Sequence, residues 1–135
     1  MATQTQVFAD NASTTMAANI SAGSTTVDLA PGTGTLFPNP SSQQFFMVTF
    51  TDAATQLNIE ICKCTARTGD TLTIVRGQEG TTARSWSAGD IVENRVTSGT
   101  LNNFIQAVPL QQQAGNYAAD TSGDDNDLVI TLSTV

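Results

Sequence analysis

The side chains with most obvious chemical potential are two cysteines around a lysine, Cys62-Lys63-Cys64 in IEICKCTA. On a strand both thiols fall on one face, about 6.6 Å apart. That separation resists a disulfide unless the backbone bends. A Cys-x-Cys zinc site needs two further ligands, and the sequence has no other cysteine and no histidine. An intermolecular or redox role is the sharper reading. Two small reduced thiols packed on a strand is the plainer and preferred one. A reactive thiolate needs a basic neighbour, and only Lys63, on the opposite strand face, and Arg67 are close in sequence. Lys63 is the sole lysine. It shares the face of Leu57, Ile59 and Ile61 and is expected to snorkel at the strand end.

With no histidine there is no Ser-His-Asp triad and no imidazole general base. A glycosidase pair of Glu79 with Asp90 or Glu93 has only residue type in its favour, because carboxylate separation is invisible in sequence. The cluster Asp120, Asp124, Asp125 and Asp127 lacks the glycine and glutamate spacing of a calcium loop and reads as an acidic turn. Gly32-Thr33-Gly34 lacks the lysine and following helix of a phosphate loop. The expectation is no catalytic site, no metal and no cofactor within these residues.

The 135 residues carry 5 basic and 12 acidic side chains, a net charge of −7. A nucleic-acid or anionic-membrane partner needs a basic patch and is disfavoured. Only 13% of residues are charged, about half the usual share, which points to a surface partly covered by neighbouring protein. MATQTQVFAD has neither the basic nor the apolar region of a secretory signal. No stretch approaches the length of apolar residues that a membrane helix needs.

The elements that must position these residues are mostly strands and turns. Residues 24–30 alternate, with Val27 and Leu29 on one face. Leu36 and Phe37 anchor the loop over 32–42. Residues 44–52 place Phe46, Val48 and Phe50 on one face and Phe45 and Met47 on the other, as a central strand does. Residues 57–66 pair back as a hairpin with Leu57, Ile59 and Ile61 as the apolar face, alternating against Asn58 and Glu60, and 71–76 and 90–96 follow as strands. Short turns at 52–55 and 67–70 make the first three an antiparallel meander. Leu101, Phe104, Ile105 and Val108 then fall on one face of a helix over 97–108, which Thr97, Ser98 or Thr100 caps and Pro109 ends. So short a helix needs partners: its own β-domain, or symmetry mates about an axis. Residues 109–117 are a polar connector, and 128–133 alternate like a strand. That last strand needs other copies of the chain or further sequence to pair with. The fold class is mainly β: a small antiparallel β-barrel or sandwich, one short helix, and the start of a second β element.

Four stretches resemble the N-terminal region of tailed-bacteriophage tail fibres and related tail proteins. These are VFADNASTTMAANISAGSTTVDLAPGTGTLFP from Val7, FFMVTFTDAATQLNIEICKCTAR, GDTLTIVRGQEGTTARSWSAGDIVENRVTSGTLNNF, and PLQQQAGNYAADTSGDDNDLVITLS. The most specific part is Arg76-Gly77-Gln78-Glu79-Gly80-Thr81, followed by Ala83, Trp86 and Ala88-Gly89-Asp90. Cys62 and Cys64 depart from the Val-like residues expected there, and Phe45-Phe46 is bulkier than expected, as at a local interface. The resemblance implies a virion-attachment module of a homotrimeric fibre, docked on a tail, adaptor or baseplate protein and assembled in the cytoplasm of the host bacterium. Within the motif, Gly77 and Gly80 permit positive φ, Arg76 and Glu79 tie the turn, and Trp86 caps the barrel while its indole N–H seeks one partner.

The organisation expected is an N-terminal arm and first strand over 1–20 for virion docking, a β-domain over 21–96, the helix 97–108 near a trimer axis, and a connector with the start of a second β-domain over 109–135. Residues 1–12 are polar around Val7 and Phe8, and these two are the expected partner anchor of an arm that orders on binding. Removing such an arm should leave the β-domain's stability unchanged. The rival classes are a capsid decoration or head-fibre protein, and a tail-associated glycan hydrolase whose catalytic part lies outside this chain.

Overall fold

The computed structural model describes residues 4–103. The fold is mainly β, with one short helix after the strands. Seven strands run in chain order: β1 (Thr5–Gln6), β2 (Ser13–Thr15), β3 (Thr26–Asp28), β4 (Gln44–Thr51), β5 (Ile59–Thr68), β6 (Thr71–Gln78) and β7 (Ile91–Glu93). Six follow the antiparallel path β2-β7-β4-β5-β6-β3, and β1 pairs with β4 alone. The path curls until its ends meet at a bridge between Met16 and Leu29. Ala17 N–H donates to Asp28 O at 2.8 Å and Ala30 N–H to Thr15 O at 2.9 Å. Those bonds pair backbone groups that an open sheet would leave as exposed edges.

The expected meander is β4-β5-β6, and β4 is central, paired on both sides. Its alternation aims Phe46, Val48 and Phe50 into the core, where Val27, Leu29, Leu72 and Ile74 join them. The register sets Phe46 opposite Cys64 and Val48 opposite Cys62. The large Phe46 thus meets a small side chain across the ladder, as interdigitating layers require. Phe37 anchors its loop against Phe46 with ring centroids 6.2 Å apart, while Leu36 is exposed.

Strand β5 corrects the expected face. Leu57 and Ile59 are exposed, and Glu60, Cys62 and Cys64 point into the core. The reason is register: Phe50 faces Glu60 across the β4–β5 ladder, and residues paired across a ladder share a face. The strand begins at Ile59, and β7 spans three residues of the expected 90–96.

Residues 4–9 are also not a free arm. Strand β1 runs parallel to the start of β4, with Thr5 opposite Gln44 and Gln6 opposite Phe45. Val7 N–H donates to Phe45 O at 2.8 Å. Val7 and Ala9 pack on the core, and Phe8 is half exposed. On this side β7 covers only Thr49–Thr51 of β4, so the first half of β4 would otherwise have an unpaired edge. Asn94 fills the gap between: its amide donates to Met47 O at 2.7 Å and accepts from Ala9 N–H at 2.9 Å.

Glu93, Thr49, Ile61 and Gln78 stand in one row across β7, β4, β5 and β6. Three strand spacings make that row about 14 Å wide, the reach of four extended residues. Thr97 Oγ1, four residues after Glu93, donates to Glu79 Oε1 at 2.5 Å, just beyond β6. Thr49, on the face away from the core, is also buried. Residues from Ser98 onward form a separate unit. In it α1 occupies Ser98–Asn103, and Leu101 is exposed. Phe104, Ile105 and Val108, the connector, the acidic cluster and the strand expected at 128–133 lie outside the described residues.

Deleting residues 1–9 uncovers the β4 edge and removes Val7 and Ala9 from the core. The expected cost is about 2 kcal/mol, or a Tm fall of about 10 °C for a domain of this size. Differential scanning calorimetry of the truncated and full chains measures it, and an unchanged Tm would restore the free-arm reading.

Candidate functional site

The motif residues converge on one carboxylate. Glu60 is fully buried and lies in the core beside Phe50 and Trp86. Arg76 meets it in a two-pronged pair, Nε to Oε1 at 2.8 Å and Nη2 to Oε2 at 2.8 Å. Trp86 Nε1–H donates to Oε2 at 2.8 Å, Gly77 N–H to Oε1 at 3.0 Å and Arg84 N–H to Oε2 at 3.3 Å. Burial opposes the charge most strongly. The donors from Arg76, Trp86 and Gly77 and the charge of Arg76 outweigh it, holding the carboxyl at about 2. The same hydrogen bonds and charge raise Arg76 above its ordinary value.

Arg76 spends its remaining donors on backbone: Nη1 to Ser21 O at 2.8 Å and Ser24 O at 3.3 Å, Nη2 to Arg84 O at 2.6 Å. One guanidinium therefore fastens the loop before β3 and the loop after β6 to the core. Its planar fork is what makes this possible, and lysine has no equivalent. Trp86 packs edge-on against Phe50 at 5.8 Å, and its segment bridges to Ile20. The indole is buried, and its N–H finds its partner in Glu60.

The expected tie between Arg76 and Glu79 is replaced by Arg76 with Glu60, and Glu79 accepts from Thr97 instead. Gly77 and Gly80 both adopt positive φ, 60° and 79°. At Gly77 a Cβ would also come within 3.2 Å of Thr81 O, so a side chain there would push the loop off Glu60. A second carboxylate does similar work at the other turn. Asp70 accepts from Gly32 N–H and Gly34 N–H, each at 2.8 Å. Those two bonds hold it below the usual carboxylate range. Gly34 packs so close that a Cβ would stand 2.1 Å from Gly69 O.

The other chemical candidates are occupied or scattered. Cys62 and Cys64 are buried free thiols. Burial pushes Cys64 up to about 12 and raises Cys62 further, with the nearby Glu60 charge adding to it. Lys63 faces outward over the Phe45 ring at 4.5 Å and reaches Gln4. Asp90 accepts from Ala53 N–H and Ser87 N–H. Glu79, Asp90 and Glu93 bind different partners: Thr97, two turn amides and Arg95 respectively. No group of three or more metal-ligating side chains occurs among the described residues. Glu60 is the residue sequence reasoning missed, and its one usable sign was its position opposite Phe50.

Glu60→Gln leaves Arg76 buried beside a neutral amide, so unfolding in urea at pH 7 should show a loss of about 3–5 kcal/mol. The carboxyl is held low in the folded state, so its stabilisation is complete above the ordinary value of 4.5 and drains as pH falls toward about 2. Asp52, held low by Thr55 and Asn58, acts in the same window. Urea titrations between pH 5 and pH 2.5 should therefore show a flatter acid loss in Glu60→Gln than in the parent. Iodoacetamide at pH 8 should leave both thiols unmodified in the folded chain and label both in guanidinium; rapid labelling of the folded chain would reopen a thiol role.

No family model matches the chain, and a search of curated proteins gives no match.

Proposed function

We propose that this chain is the virion-proximal module of a homotrimeric bacteriophage tail fibre, a structural protein that fixes the fibre to the tail and does no catalysis itself. The reading rests on the resemblance of the stretch around Arg76-Gly77-Gln78-Glu79-Gly80 and Trp86. One observation carries it. The resembling residues Arg76, Gly77 and Trp86 all close on Glu60, which is the work of a scaffold rather than of a reacting centre. Phe8, half exposed beside the β1–β4 seam, supplies the outward anchor for the tail protein, and Val7 fixes it from within. Leu101, Phe104, Ile105 and Val108 line the trimer axis in this reading.

Leu101→Asp with Ile105→Asp should shift the chain from trimer to monomer in sedimentation velocity, and a double variant that sediments like the parent would remove the axis. Immunogold labelling of the phage particle should place the chain at the tail. Label on the head would instead mark a decoration protein.

A further inference from the structure

We infer that the rim pocket at the start of β5 docks an extended peptide of a partner protein, one carrying an aspartate or glutamate beside a branched aliphatic side chain. The pocket has a volume of about 430 Å³ and is lined by Leu57, Asn58, Ile59, Thr82 and Arg84. Leu57 is 84% exposed and Ile59 48% exposed. These two aliphatic side chains, on the face opposite Glu60 and the cysteines, are thus left in water beside the pocket. The charge beside them is the second observation. Of the five basic side chains, Arg76 and Arg95 are paired with Glu60 and Glu93, Arg67 is held by the Pro38 and Gly69 carbonyls, and Lys63 lies over Phe45 and reaches Gln4. The Arg84 side chain is in no salt bridge among the described residues and meets only the neutral Asn58 amide oxygen and the face of Trp86. A guanidinium takes a carboxylate through two parallel hydrogen bonds, and Leu57 and Ile59 take the aliphatic neighbour. An occupant of this chemistry complements both features at once. The inference goes beyond the fibre reading and does not need it.

Arg84 is open to a clean test because its hydrogen bonds to the Glu60–Arg76 pair are made by backbone: its N–H donates to Glu60 and its carbonyl accepts from Arg76. Arg84→Gln therefore keeps the core lock, which an unchanged amide spectrum verifies. The probes are acetyl-Leu-Asp-Leu-amide and its neutral analogue acetyl-Leu-Asn-Leu-amide, titrated into ¹⁵N-labelled full chain. The expected result is saturable shifts at residues 57–59 and 82–84, with the aspartate probe bound about fivefold more tightly. In Arg84→Gln that preference should vanish, and Leu57→Ser should weaken both probes. Equal affinity of the two probes for the parent, shifts centred elsewhere, or no saturation overturns the proposal. So does a self-association of the free chain that Arg84→Gln abolishes, since the pocket would then belong to a second copy.

Discussion

A carboxylate in an apolar core must be met on every side or it destroys the core. Glu60 is met by a guanidinium, an indole and two backbone amides. Each donor comes from a different part of the stretch between Arg76 and Trp86, so satisfying one charge defines the path of an otherwise irregular loop. The guanidinium then hands the constraint on to Ser21 and Ser24. Hydrophobic burial would favour many compact arrangements of these loops. The charged network favours the one in which all its members are paired.

The sheet solves its edge problem with the same economy of length. The strands β1, β2, β3 and β7 are only two or three residues each, too short to hold a sheet without the long β4-β5-β6 meander. They act as covers. β2 and β3 meet and close the curl, β7 lies on the second half of β4, and β1 with the Asn94 amide lies on the first half. Side chains take over wherever the backbone ladder runs out.

Much of this was legible in the sequence because it is local. Phe46, Val48 and Phe50 alternate within five residues, and the turns at 52–55 and 67–70 carry their own Asp, Thr and Gly. The inward face of β5 was not legible, because Leu57 and Ile59 outweigh Glu60 and the cysteines in apolarity. What turns the strand over is a set of partners 16 and 26 residues away, and no periodicity reports those. The β1–β4 pair was hidden for a related reason: a two-residue parallel contact has no pattern, and its necessity appears only once the bare edge of β4 is known. The motif's glycines are legible as turn formers, whereas the partner of Arg76 is not the nearest acid, Glu79, but Glu60 on the neighbouring strand.

The segment after β7 ties down the outgoing end of that short strand. Asn94 is bonded to Met47 of β4, and Thr97 to Glu79 just beyond β6. Fraying of this three-residue strand from its outgoing end therefore has to break both side-chain bonds as well as its own ladder. Local opening at that edge is thereby coupled to β6, which Arg76 and Glu60 lock to β5.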